Sequence, residues 1–257
     1  MELKLSFNED VINYDRWRPN YVEALFNDVI DHTSINNTSK LLEIGVGTGQ
    51  ATLPFLKLHC QIDGIELGNR LAEYTKLKFK TYSNLNIINA DFEFYSGEAN
   101  SYDLIYSATA FHWINEELGL IKAFNLLKDN GWIALFWNHP FVSRKDDSLH
   151  QEIQKVYDKY WSTNEKIVEF KKDDCRVITN KLLLYGFSNV ISKLYYQKRT
   201  FNSDDYISLL NTYSDHRCLA LPIKNRFENE IRSVIKENND QIIVYDTIDL
   251  YLGQKKQ

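Results

Sequence analysis

Residues 41 to 50 read Leu41-Leu42-Glu43-Ile44-Gly45-Val46-Gly47-Thr48-Gly49-Gln50, an apolar run that ends in a loop with glycine at every second position. Glycines at that density let backbone amides approach a ligand with no Cβ in the way, and they accept the positive φ of a sharp strand-to-helix turn. The stretch therefore predicts a cofactor loop. It is neither the G-x-G-x-x-G of dinucleotide folds nor a phosphate loop ending in Gly-Lys-Ser/Thr. From Leu41 to Leu56 there is no Lys or Arg, and Glu43 adds a negative charge at the loop entrance, which is poor chemistry for a pyrophosphate. A cationic ligand without phosphate fits better, and a nicotinamide cofactor is disfavoured.

Outward from the loop, strands and helices alternate as in a doubly wound α/β fold. Strands are expected at 40–45, 61–66, 86–90, 102–107 and 132–138, all parallel. Before them, Asn20 with Glu23 three positions on predicts a capped helix whose apolar stripe is Val22, Leu25, Phe26, Val29 and Ile30. Asn115 followed by Glu116 and Glu117 predicts the capped start of a helix through Leu127, and Asn130-Gly131 the turn into the fifth strand. Leu149, Ile153, Val156, Tyr157 and Tyr160 mark a further amphipathic helix, and another ends near Tyr185-Gly186. A sixth strand is expected at 189–197 and a last one through 247–252. Between them lie a helix from Ser203, with stripe Tyr206, Leu209, Leu210 and Tyr213, and one from Pro222. The expectation is one domain over 1–257: a seven-stranded, mainly parallel sheet with helical insertions at 139–188 and 199–240. These insertions read as a substrate lid, or as helical decoration that buries the sheet.

Composition agrees with an enzyme domain. The chain has 257 residues, 44% of them hydrophobic, enough for one large core. The formal net charge is −5 with Lys and Arg scattered, against a dedicated nucleic-acid binder. No apolar run approaches the ~20 residues that cross a bilayer, and no secretory h-region follows Met1, so a cytoplasmic protein is expected. Cys60, Cys175 and Cys218 are far apart and odd in number, so neither a disulfide nor a metal is expected.

The glycine loop resembles motif I of the class I S-adenosylmethionine-dependent methyltransferases, and other motifs extend the resemblance over residues 14–138. Glu66 follows Gly45 by 21 positions. Asn89-Ala90-Asp91-Phe92 closes the third strand, and Ser107-Ala108-Thr109-Ala110-Phe111-His112-Trp113 follows the fourth. With Tyr14-Asp15-Arg16-Trp17-Arg18-Pro19, these are similar to the type 11 branch, trans-aconitate methyltransferases among them; Val22 stands where proline is usual in that branch. The resemblance implies a Rossmann-like fold and S-adenosyl-L-methionine as cofactor. The loop with Glu43, Gly45, Gly47, Thr48, Gly49 and Gln50 would wrap the amino-acid end, and Ser107 and Ala108 would also contact the cofactor. Glu66 would accept from both ribose hydroxyls, Asp91, Phe92 and Leu67 would hold the adenine, and Tyr14 and Arg18 would cover the methionine carboxylate. Taken singly, these residues have plainer readings: a turn former at Asp91, core aromatics at Phe92 and Trp113, an anchored N-terminal segment at Tyr14 and Arg18.

Methyl transfer from a sulfonium is an in-line displacement, so alignment and exclusion of water carry most of it. His112 is the candidate base, or else orients the cofactor. His112, Trp113, Tyr213, His216 and Arg217 are the candidate substrate residues, Arg217 as holder of an acidic group or as a helix end. The expected reaction is transfer to a small-molecule oxygen, carboxylate or hydroxyl, by a monomer or homodimer. Transfer to carbon or nitrogen and a non-catalytic cofactor binder are the alternatives. Nucleic-acid methylation is disfavoured, since the fourth-strand motif is not the Asn/Asp-Pro-Pro-Tyr type that holds a flipped base.

Overall fold

The computed structural model describes residues 8–161 and 168–256. Its centre is β1 (Lys40–Ile44), with Leu41, Leu42 and Ile44 almost wholly buried, as a parallel strand covered on both faces must be. Around it lie β2 (Gln61–Glu66), β3 (Leu85–Asn89), β4 (Tyr102–Ala108), β5 (Leu127–Phe141), β6 (Phe187–Phe201) and β7 (Ile242–Lys255), in the order β3-β2-β1-β4-β5-β7-β6. The β1–β2, β2–β3, β1–β4 and β4–β5 pairs are parallel. β7 runs the other way: Asp249 accepts from the Trp137 amide while Gln254, further along β7, reaches the Asn130 carbonyl earlier on β5. Gln254 and Asp246 likewise meet Ser188 and Gln197 in reverse order, which makes β6 parallel to β5. The expected seven-stranded, mainly parallel Rossmann-like sheet is the fold observed. Because β1 lies between β2 and β4, the strand order reverses at the end of β1, the point where open α/β sheets bind ligands.

The first four strands fall within a residue of the expected bounds. The last three are longer than their sequence signals. At Asn130 (φ 63°) and Gly131 the turn is a local interruption, where the register with β4 jumps from Leu127 to Trp132.

Among the helices, α1 (Val11–Trp17) is capped by Asp10, whose carboxylate accepts from the Asn13 amide. α2 (Glu23–Thr33) starts later than the Asn20 cap implied. Arg18, ahead of Pro19, is extended as steric clash with the proline ring requires, and Val22 is the cap residue with no side-chain bond. α3 (Thr52–Lys57), α4 (Asn69–Lys78) and α5 (Glu116–Leu126) follow, the last capped by Asn115 as expected, its Oδ1 accepting from Leu118 N at 3.1 Å. Next come α6 (Ser148–Tyr160), α7 (Arg176–Leu184), α8 (Ser203–Leu210), α9 (Ser214–Arg217) and α10 (Leu221–Glu237). α8 ends at Leu210, so Tyr213 is not on its stripe but directly precedes α9.

The chain forms two compact units. The larger comprises 19–138, 171–195 and 248–257. Its core gathers Leu25, Phe26 and Val29 of α2, Phe55 and Leu56 of α3, and Leu41, Tyr106 and Phe136 of the sheet. The smaller comprises 1–18, 139–170 and 196–247, with a core of Ile153 and Val156 of α6, Leu209, Leu210, Phe227, Ile231 and Val244. Among the described residues no helix is long and apolar enough to cross a membrane.

Candidate active site

The loop after β1 takes left-handed backbone at Gly45 (φ 75°), Gly47 (φ 59°) and Gly49 (φ 85°). Two of these positions are also closed by packing: a Cβ on Gly45 would stand 2.4 Å from the Ala110 Cβ, and one on Gly49 2.2 Å from the Phe79 ring. At Gly47 the backbone N–H donates to Glu66 Oε2 at 2.8 Å, and the carbonyl accepts from the Thr75 hydroxyl at 2.7 Å.

Glu66, the last residue of β2, is 7% exposed. Its second oxygen accepts from Gly68 N at 2.8 Å. Burial raises its pKa, while the amides of Gly68, Gly47 and Leu67 act to lower it. Each carboxylate oxygen keeps lone-pair capacity beyond its amide bond. A rigid, two-oxygen acceptor next to a glycine-rich loop is chemistry that fits a vicinal diol.

Glu43 departs from its expected place. Its carboxylate faces the core, where Oε2 accepts from the Thr52 hydroxyl at 2.6 Å and the Tyr106 hydroxyl at 2.8 Å, and the residue is 1% exposed. Burial pushes it up to about 8, so at neutral pH it is largely protonated and presents no negative charge at the loop entrance. Its other oxygen is buried with no hydrogen-bond partner. Thr48 and Ser107 are also wholly buried. Thr48 Oγ1 accepts from Gln50 Nε2 at 2.6 Å, and Ser107 donates to the Ile44 carbonyl at 2.8 Å, joining β4 to β1. These three side chains shape the loop from beneath. A cation does serve the loop after all: Lys78 of α4 donates to the Thr48 carbonyl at 2.9 Å, a contact hidden from the sequence by its 30-residue separation.

Asp91 caps a 3-10 turn over Phe92–Phe94, accepting from Glu93 N at 2.9 Å, and Phe92 is buried. Asn89 holds the neighbouring backbone, donating to the carbonyls of Glu66 at 2.8 Å and Leu67 at 3.0 Å. The turn is fastened by Lys122 of α5, whose ammonium reaches the carbonyls of Phe92, Glu93 and Tyr95 at 3.0, 2.6 and 3.0 Å. All three of its N–H donors can thus be spent on one turn, and no motif flagged it.

After β4, Ala108 leads into Thr109, a β-branched residue at φ 51°, a conformation that costs roughly 1–3 kcal/mol. It is held by its own N–H to Phe136 O at 2.8 Å and by its hydroxyl to Tyr21 OH at 2.7 Å. His112 follows in a 3-10 turn, its ring centroid 4.9 Å from that of Trp113. The Trp137 indole donates to His112 Nδ1 at 3.0 Å. Indole N–H is donor only, so Nδ1 is the acceptor, and neutral His112 carries its proton on Nε2. Trp137 is itself placed by its amide bond to Asp249, which is buried and also accepts from Tyr251 OH at 2.7 Å.

The remaining candidates belong to the smaller unit. Arg18 lies 5.1 Å from the Tyr14 ring and 4.7 Å from that of Tyr213, and donates to Thr212 O at 3.0 Å. His216 is buried between the Tyr157 hydroxyl at 2.8 Å and Asp215 at 2.9 Å. Arg217 is ion-paired with Glu9 at 2.7 Å, so its charge is already answered within the chain and it is not an open holder of an acidic group.

Residues 41–131 match the methyltransferase domain family. The chain is 25% identical over 247 residues to an uncharacterized methyltransferase of Schizosaccharomyces pombe, covering 92% of each. To a malonyl-[acyl-carrier protein] O-methyltransferase of Ilyobacter polytropus it is 26% identical over 193 residues, 68% of this chain and 72% of that one. Solved structures share the fold: YcgJ of Bacillus subtilis (TM-score 0.57, 12% identity, 92% of this chain and 100% of that one) and the Haemonchus contortus phosphoethanolamine N-methyltransferase 2 complex with S-adenosyl-L-methionine (0.55, 13%, 97% and 57%). The matched domain spans the glycine loop, Glu66, Asp91 and His112, and the chain is an S-adenosylmethionine-dependent methyltransferase.

Proposed function

We propose that the enzyme methylates an oxygen of a small molecule, with a carboxylate favoured over a hydroxyl. The observation that carries this is the Trp137 bond to His112 Nδ1: with that lone pair engaged and the proton on Nε2, His112 is a hydrogen-bond donor rather than a base. A hydroxyl acceptor must lose a proton, whereas a carboxylate is ionised at pH 7 and needs no base. His112 Nε2 then orients an acceptor oxygen. The likeness to an O-methyltransferase of Ilyobacter polytropus supports oxygen as the acceptor atom.

The cofactor, when bound, supplies a methyl group activated on a sulfonium. Around it the proposed roles are the loop Gly45 to Gln50 for the amino-acid end, Glu66 for the ribose, and Asp91, Phe92 and Leu67 for the adenine, with Ala108 and Trp113 lining the reacting end. The roles of Tyr14 and Arg18 are those that the resemblance to the type 11 branch implies, and Tyr213 and His216 stay candidate substrate residues. The test is incubation with S-adenosylmethionine and matched carboxylic acids, phenols and amines, with products read by mass spectrometry. Methyl esters are expected; exclusive N- or C-methyl products would overturn the assignment.

A further inference from the structure

We propose that the smaller unit contains a binding site for a compact oxyanion-bearing small molecule, a carboxylate or a phosphate, in the cavity where the start of β7 meets the end of β6. The cavity measures about 270 Å³, and Arg144, Lys198 and Tyr245 line it with Glu169 and Asp246. Two cations share one aromatic ring: the Arg144 guanidinium carbon is 3.8 Å from the Tyr245 centroid and the Lys198 ammonium 5.2 Å. A guanidinium so close to a ring lies against it and leaves its N–H edge to meet a planar oxyanion.

The arginine is mounted rather than loose. Its backbone N–H donates to Nδ1 of the fully buried His150, whose Nε2 donates to Ile243 O at 2.8 Å, and its carbonyl accepts from Gln151 at 2.6 Å. One end of α6 and the start of β7 thereby fix the residue that presents the charge. Such anchoring lowers the ordering cost of ligand capture.

The charges leave a positive remainder. Asp246 is engaged by a two-point pair with Arg199, and by Gln197 at 3.3 Å. Glu169 answers Arg144 through a single contact at 3.3 Å. The Lys198 ammonium has no carboxylate partner among the described residues. An oxyanion between Arg144 and Lys198 completes the set. The volume lies just below the roughly 300–1,000 Å³ of drug-sized pockets, so the occupant is a small molecule or one end of a longer one.

The experiment is calorimetric titration of the full chain, saturated with S-adenosylhomocysteine, with benzoate and separately with inorganic phosphate. Arg144→Met and Lys198→Met are titrated alongside the unsubstituted protein. Saturable binding of either probe, weakened about tenfold or more in both variants, is expected; benzoate alone assigns a carboxylate ligand and phosphate alone a phosphorylated one. The variants retain their affinity for S-adenosylhomocysteine, which separates loss of this site from loss of the fold or of the cofactor assignment. Absence of saturable binding by both probes, or binding that the substitutions leave unchanged, overturns the site.

Discussion

The Trp137 indole donates to His112 Nδ1 at 3.0 Å, and this bond fixes which imidazole nitrogen carries the proton. Trp137→Phe removes the donor while keeping most of the ring packing. It should lower kcat by about tenfold, the scale of one hydrogen bond, and leave the Kd for S-adenosylhomocysteine unchanged. His112→Gln, which retains an N–H donor, should keep more activity than His112→Ala. Equal losses in those two variants would remove the donor role.

At Glu66 a single carboxylate satisfies the Gly47 and Gly68 amides. Glu66→Ala orphans both and removes the proposed ribose acceptor, so the Kd for S-adenosylhomocysteine should rise by about 100-fold or more. Calorimetry checks this, and unchanged affinity refutes the ribose role.

Lys122 closes three carbonyls of the turn that carries Phe92. Lys122→Met leaves them to water and loosens the proposed adenine wall. KM for the methyl donor should rise about tenfold with kcat nearly unchanged, and Lys122→Arg should recover part of the loss. A fall in kcat at constant KM would assign Lys122 elsewhere.

Glu43 titrates at about 8 in the folded chain because of burial, against roughly 4.3 when unfolded. Between those values the folded state binds the extra proton, so this group makes stability fall as pH rises. Glu43→Gln does not titrate. Urea unfolding at about pH 5 and about pH 8 should show a shallower loss in the variant than in the unsubstituted chain; parallel losses would mean Glu43 is ionised in the core.

Much of the sheet was legible because parallel strands are written as local apolar runs: Leu41 to Ile44 and Tyr102 to Ala108 need no distant partner to be recognised. The glycine loop and Glu66 were legible for a related reason, since backbone conformation and a strand end are local properties. Asp249, Trp137 and Lys122 were not. Their roles exist only once residues far apart in the chain meet, as in the contact of Trp137 with an aspartate 112 positions on. Glu43 misled for the converse reason: its neighbours suggest a loop entrance, but strand alternation turned the side chain under the loop to Tyr106. Tyr213 fits a helical spacing from Tyr206, yet α8 ends three residues before it, where Asn211 and Thr212 close the last turn.

The smaller unit is assembled from three separated stretches of chain, and this fixes an order of events during folding. Asn13 of α1 donates to the Ser208 carbonyl across 195 positions, and the Leu149–Phe227–Val244 core draws on two helices and a strand far apart in sequence. Closing such long loops is slow. By contrast, the glycine loop, Glu66, Asp91 and Lys122 all lie within residues 41–122 and find their partners over much shorter spans. On the ribosome and in refolding, the part of the cradle within residues 41–122 can form while α1, with Tyr14, still awaits its place, so part of the affinity for S-adenosylhomocysteine should return before the smaller unit's core is sealed.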